Sequence, residues 1–401
     1  MRNLILFTCV VALAVLIQRG PSPVVEPTCY VGLLSVLAYF AGKLCQRLGL
    51  PVETGYVGVG VAARGFGVLP GRLFTMFDPL VAMALGWIGF GIGCEVGGMR
   101  DRWRPSHLSL ALFGTLLPCL CAGLILKTLA GLPLAVALAL GVAASLSGPV
   151  LTFVAPDHLP ETTLVTVLCS GVSLLLYAPL TTMSGATLPF LLGVGGACGV
   201  ALLWAETLVR VEPSLKADTP LIVLLLSMVI LLPWTSALLG HSLFLTSLLA
   251  GLLTSWRAGL QPRLRRISAP VGRGAGALLL AAFGVQIAIE RLPDLPKEVW
   301  GIAAIYLGGM IGGKLLGGAL VRGQAHPYGR LAGIALLPQG LLLLEIDTQV
   351  RQRADLFGGA ADTIHAVLTV AALVGSLALP LLDHLLRRVT MTASENYLDR
   401  P

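Results

Sequence analysis

The chain has 401 residues, of which 56% are hydrophobic and 12% charged, with a formal net charge of +7. A soluble domain carries about 25% charged residues, so a soluble enzyme is excluded, and repeated apolar runs of about 20 residues point to a polytopic all-α membrane protein. A β-barrel is excluded because its strands would alternate apolar and polar residues. The positive excess belongs to loop Lys and Arg on one membrane face and is no nucleic-acid footprint.

Fourteen apolar segments are predicted: 4–18, 29–46, 50–66, 79–98, 107–129, 132–155, 162–183, 187–209, 219–239, 242–257, 273–290, 299–321, 329–348 and 362–386. The first could pass for a signal peptide, since Arg2 precedes it. No small-residue cleavage site follows, only Gln18 and Arg19, so it reads as a spanning helix. With the N-terminus in the cytoplasm and strict alternation, the cytoplasmic side receives Lys43, Arg47, Arg100, Arg102, Arg104, Arg257, Arg263, Arg265, Arg266, Arg273, Arg322, Arg330, Arg387 and Arg388. The outer side receives fewer: Arg19, Arg64, Arg72, Lys127, Arg291, Lys297, Arg351 and Arg353. This bias places both termini in the cytoplasm. The tail 387–401 is too short to fold, so any function must lie within the bundle.

Two halves are visible. The fourth segment ends in Gly93-Cys94-Glu95 and the eleventh in Ile289-Glu290; each is a glycine-bearing apolar helix closed by an acid. A shift of seven helices is odd, so the halves have opposite orientation, as in inverted-repeat transporters. The sixth and thirteenth segments hold matching places and both contain helix breakers, Ser147-Gly148-Pro149 and Pro338-Gln339-Gly340. Proline removes a backbone donor and clashes with the preceding turn. Two interrupted helices in corresponding places point to a binding site where they cross.

Lys314 is the most informative single residue. It stands in a run of glycines and aliphatics, 300–321, with no other charge until Arg322. A lysine at the centre of a spanning helix costs about 2.5–3.5 kcal/mol on insertion scales and usually faces a bundle interior or a wet cavity. The alternative is snorkelling, since Lys314 lies about two helical turns from the cytoplasmic end. Other polar residues read more plainly. Glu53, Glu206 and Asp383 lie near helix ends, Glu95 could pair with Arg100 or Arg102, and Cys119 and Cys121 suit packing. His241, His326 and His365 are scattered in loops or at helix ends, and no pair has metal-ligand spacing. No metal, cofactor or enzyme motif is found.

Five motifs, in order, resemble the cation:proton antiporter superfamily, whose members exchange Na⁺ or K⁺ for H⁺. The stretch 37–51 looks like that family's first helix and turn, and 55–61 like the glycine-rich helix after it. Ile92-Gly93-Cys94-Glu95 is similar to the Gly-Leu-Glu pattern, Lys314 matches the core lysine of many members, and Leu336-Leu337-Pro338-Gln339-Gly340 resembles the Leu-Pro-Arg-Gly-Glu break. The resemblance implies an exchanger-like domain over 29–386, with a core of 79–183 and 273–386 and a scaffold of 29–66 and 219–257. Residues 1–28 would add an extra helix and loop, and 387–401 a short cytoplasmic tail. It further implies a homodimer in a bacterial inner membrane, with lipid, H⁺ and Na⁺ or K⁺ as partners.

The departures fall on the ion site. Gly148 stands where the family's first break carries a carboxylate, Leu176 and Tyr177 replace its acidic pair, and Gln339 and Leu341 replace Arg and Glu. A phenol ionises near pH 10 and cannot carry protons at neutrality. Neutral oxygens remain on Ser145, Ser147, Thr152 and Ser173, and Glu345 lies one turn beyond the second break. The site expected from this pattern is Lys314, Tyr177, Ser147, Gly148, Ser173, Gln339 and Glu345 beside Pro149 and Pro338, with Glu95 and Thr152 as secondary members. Three functions are compatible with it: antiport with the carrier moved to Glu345, Glu95 or Lys314; transport of an anion or neutral solute; or a scaffold or sensor that has lost transport.

Overall fold

The computed structural model describes residues 26–48, 50, 52–67, 78–98, 105–147, 187–215, 217–239, 242–258, 261–287, 289–320, 333, 336–337, 343, 346–347, 350 and 357–375. They contain eleven α-helices and no strand: α1 (Glu26–Arg47), α2 (Val52–Gly65), α3 (Asp78–Gly98), α4 (Pro105–Leu129), α5 (Leu134–Ser145), α6 (Thr187–Val211), α7 (Asp218–Leu239), α8 (Leu243–Ala258), α9 (Gln261–Gln286), α10 (Lys297–Leu320) and α11 (Ala361–Leu373). The predicted segments 4–18 and 162–183 lie outside the described residues, as does most of 329–348. Among the described residues, four stretches are long and apolar enough to cross a membrane: Pro79–Gly98, His107–Leu129, Asp218–Thr235 and Lys297–Leu320. Large apolar side chains such as Leu124, Leu203, Trp234 and Leu316 stay exposed on the outside of the bundle, which suits contact with lipid. The protein is an integral membrane protein.

Two helices differ in extent from the sequence expectation: α5 stops at Ser145, inside the segment placed at 132–155, and α9 starts early. The eleventh segment was placed at 273–290 with Arg263, Arg265 and Arg266 in a loop before it, yet α9 begins at Gln261. Arg263 donates to Glu212 at 2.5 Å, to Asp218 at 3.0 Å and to the Leu215 and Ala217 carbonyls, and Arg266 donates to Asp218 at 2.7 Å. These bonds dock the first turns of α9 on the α6–α7 connection, so charge that looks like a loop is carried by a helix. Beyond the other end of α9, Arg64 is ion-paired with Glu290 and donates to the Val285 and Gln286 carbonyls at 3.0 and 3.2 Å. The 26 residues of α9 span about 39 Å, so the two charged clusters mark opposite ends of the bundle.

The extensive helix–helix packings fall into two groups. In one, α8 lies on α3 and α6, α9 lies on α1, α2 and α3, and α7 lies on α3, α6 and α8. In the other, α4, α5, α10 and α11 pack together around α10. Helices α3 and α9, expected with the core, therefore pack with the helices expected to form the scaffold. Close approach of backbones explains this. A side chain at Gly93 would meet the Leu248 carbonyl, and one at Gly284 the Val57 carbonyl, so only glycine admits these crossings.

The same approaches give relative directions. Gly86, Gly89, Gly93 and Gly97 meet Leu243, Ser247, Leu248 and Ser255 in ascending order, so α3 and α8 run parallel. Gly309, Gly313 and Gly317 of α10 meet Ala122, Pro118 and Phe113 of α4 in descending order, so these two are antiparallel. Both are the directions that alternate crossing assigns to the fourth and tenth and to the fifth and twelfth segments.

Gly313 sits where α10 rides on Pro118, inside contact distance for any Cβ, whereas nothing lies within 4 Å of a Cβ at Gly312. Gly313→Ala is expected to destabilise the protein by about 1–3 kcal/mol through overpacking. Gly312→Ala should be neutral or stabilising, because alanine is the better helix former by about 1 kcal/mol. Thermal unfolding in detergent compares the two; equal midpoints would contradict this packing.

Candidate functional site

The site begins with the end of α5. Pro133 starts this short helix, and Ala and Leu fill it, so nearly every side chain is buried. It stops at Ser145; Leu146 turns the chain to extended backbone at φ −59° and ψ 140°. Pro149 supplies the reason, because in a continued helix its ring would strike the carbonyl of residue 145. A helix end leaves carbonyls without intrahelical donors and carries about half a negative charge.

Lys314 meets that end. Its side chain is 0% exposed, and its Nζ donates to the Leu146 carbonyl at 2.5 Å and to the Leu336 carbonyl at 2.6 Å. Leu336 closes a turn on Gly333 through a 3.3 Å backbone bond, immediately before Leu337-Pro338. Gly333 lies so close to the Lys314 carbonyl that a Cβ there would overlap it. Ser147 Oγ donates to the same Leu336 carbonyl at 3.2 Å. The ammonium thus joins the residues preceding both breaks, although 190 positions separate Leu146 from Leu336. The snorkelling alternative is overturned: the nitrogen ends among backbone carbonyls, because they solvate it without leaving the bundle.

Burying a bare ammonium costs several kcal/mol unless it is paired or hydrogen-bonded. Each bond from a charged donor returns about 1.5–3 kcal/mol, and the partial negative charge at the end of α5 adds to this. The Leu146 and Leu336 acceptors are carbonyl oxygens, the ligand type that alkali cations prefer.

The structure brings Lys314 and Ser147 together on one acceptor. Glu95 lies on α3, partly buried and in the other packing group. Tyr177, Gly148, Ser173, Gln339, Glu345, Thr152, Pro149 and Pro338 lie outside the described residues, as do Arg100 and Arg102. Sequence reasoning missed Asp347, which is buried and hydrogen-bonded to His365 at 2.8 Å. Its only signal was one more acid beside Glu345, near a predicted helix end.

Solved structures share this fold. The sodium proton antiporter MjNhaP1 from Methanocaldococcus jannaschii, determined at pH 8, superposes with a TM-score of 0.71 at 16% identity, covering 90% of this chain and all of that one. An electron-microscopy structure of the same antiporter gives a TM-score of 0.68 at 16% identity over 93% of this chain and 98% of its own. At this identity the likeness establishes the fold. No protein-family profile and no curated protein sequence matches the chain.

Lys314→Met removes the charged donor and leaves the Leu146 carbonyl without that bond. It should lower stability by about 1–3 kcal/mol, and Ser147→Ala by about 1 kcal/mol or less. Thermal unfolding of both variants in detergent checks the order; a Lys314→Met protein as stable as the parent would contradict the brace.

Proposed function

We propose that this protein is a secondary transporter that exchanges a monovalent cation, Na⁺ or K⁺, for H⁺, with an atypical site at the crossing of the interrupted segments. The supporting observation is the buried Lys314 ammonium shared by the Leu146 and Leu336 carbonyls. These oxygens hold one monovalent positive charge, and an ammonium and an alkali cation are alternative occupants. When Lys314 releases its proton, its charge leaves with it, and the two carbonyls with the Ser147 hydroxyl become ligands for one alkali cation. One proton out for one cation in keeps the charge of the pocket constant, which is the condition for an electroneutral exchange. Tyr177, Ser173 and Thr152 add neutral oxygens in this reading, Gly148 and Gln339 take the family's charged positions, and Glu345 and Glu95 are its candidate acids.

The antiporter fold of the solved structures supports the class, and both packing groups fit a bundle that moves against another. In this reading α4, α5, α10 and α11 belong to the moving core, and α1, α2, α7 and α8, joined by α3, α6 and α9, to the scaffold of a homodimer. The chain crosses the bacterial inner membrane fourteen times with both ends in the cytoplasm. One observation favours a second reading: the ammonium already satisfies both carbonyls, so Lys314 also suits a fixed brace in a scaffold that no longer transports.

Liposomes separate the two. Internal pH is followed after addition of Na⁺, K⁺ or Li⁺, with the parent protein and with Lys314→Ala present as folded protein in equal amounts. Exchange predicts a cation-dependent pH change that falls at least about tenfold in the variant, more than 1.4 kcal/mol of barrier. An internal pH that ignores every cation, or one driven by the anion, would overturn the exchanger reading.

A further inference from the structure

The outside of α1 carries charge that the bundle does not use. Val36, Tyr39, Lys43 and Arg47 follow one another at helical spacing, so they share one face, and all are exposed. Gly32 continues that face, and nothing lies within 4 Å of a Cβ built there, so the protein leaves it open. Leu44 and Leu48 flank the cations and are also exposed. Along α1 the face thus passes from apolar residues, through one aromatic ring, to two cations.

Two observations set these cations apart. Arg64, Arg210, Arg263 and Arg266 are each ion-paired with a carboxylate. Among the described residues, no carboxylate pairs with Lys43 or Arg47, and the acid of the adjoining helix, Glu53, is buried. The second observation is direction. Lys43 Nζ lies 4.9 Å from the centre of the Tyr39 ring, one turn back toward the middle of α1. A lysine reaching only for water at this helix end would extend the other way. Tyr39 is itself set edge-on against Phe40, with ring centres 5.6 Å apart. The ammonium is therefore held at the border between the apolar stretch and the charged end. Close backbone approaches place that end in the bundle. Gly42 meets Val52 and Tyr56 at the start of α2, and α2 runs beside α9 in the same direction, Gly60 by Ala281 and Arg64 by Val285 and Gln286. Lys43 and Arg47 thus lie toward the end of the bundle that holds Arg263 and Arg266.

We propose that this face of α1 binds one anionic phospholipid, with its phosphate against Lys43 and Arg47, its glycerol region at Tyr39 and an acyl chain along Val36 and Gly32. A phosphodiester offers anionic oxygens to the ammonium and, in a fork, to the guanidinium. Phosphatidylcholine and phosphatidylethanolamine carry a cation of their own beside the phosphate, which would meet two like charges here. Phosphatidylglycerol brings the phosphate without that cation. Each basic residue near the surface favours anionic lipid by about fivefold, so the pair sets a preference of about tenfold or more. A soluble anion has no tail for the apolar half of the face. A second copy of this chain fits poorly, because a twofold contact through this face within one membrane would set Lys43 and Arg47 against their own counterparts. The lipid belongs to the leaflet on the Arg263 side, which is the cytoplasmic one in the orientation proposed above. The site does not rest on the exchanger reading.

The test uses the full chain in detergent, with phosphatidylglycerol or phosphatidylcholine titrated in and native mass spectrometry counting the lipid on each chain. Phosphatidylglycerol should be retained about tenfold or more tightly than phosphatidylcholine. Lys43→Gln combined with Arg47→Gln should remove that preference. Lys297→Gln, which removes an exposed cation at the start of α10, should leave it unchanged. In nanodiscs holding phosphatidylglycerol with a photoreactive headgroup, the cross-links of the wild-type chain should include residues 36–48. That arm decides even if a variant does not fold. Equal retention of the two lipids, a preference that survives in the double variant, or cross-links that avoid 36–48 would overturn the proposal. So would a double variant that shifts only the ratio of monomer to dimer, since that would mark the face as a contact between copies.

Discussion

One buried nitrogen organises the centre of this protein. The Lys314 ammonium donates to the ends of two chain stretches that the sequence keeps far apart, through the Leu146 and Leu336 backbone carbonyls. A lysine in an apolar helix would be a liability anywhere else in the bundle. Here the interrupted segments supply what water would have supplied. The breaks and the lysine are therefore a single device: without the breaks the carbonyls would be spent within helices, and without the lysine the carbonyls beside them would lack a charged donor.

The arrangement around this point is set by small residues. Gly309, Gly313 and Gly317 form one face of α10 and let it settle on α4, which carries Lys314 to the end of α5. Gly333 lets the second interrupted stretch lie against the Lys314 backbone. The other packing group uses the same means at Gly93 and Gly284. Glycine pairing within each group describes two bundles, with the Asp347–His365 hydrogen bond near where they meet.

Much of this was legible beforehand, and for stated reasons. Hydropathy locates α1 to α4 and α6 to α8 to within a few residues because each is an apolar run bounded by Pro, Gly or charge, whereas α5 stops at Ser145, inside the segment placed at 132–155. Pro149 and Pro338 announce the breaks, and the isolation of Lys314 announces a buried partner. What pattern cannot supply is pairing across space. Arg263 and Arg266 looked like loop residues because their partners, Glu212 and Asp218, lie two segments earlier. Asp347 and His365 are 18 positions apart at adjoining helix ends, where polar residues are ordinarily solvated, so His365 was set aside and Asp347 passed over. The grouping of α3 and α9 with their neighbours depends on which glycine faces which backbone, and periodicity does not reveal that.

The brace itself is open to direct measurement. In lipid bilayers, protein carrying ¹⁵N at the lysine side-chain nitrogens and ¹³C at the leucine carbonyls has five labelled amines, at Lys43, Lys127, Lys216, Lys297 and Lys314. Dipolar recoupling should find one amine in short contact with leucine carbonyl carbon, shielded from exchange with bulk water and absent from protein in which Lys314 is replaced by arginine. Five water-exchanging amines with no carbonyl contact would contradict the account at its centre.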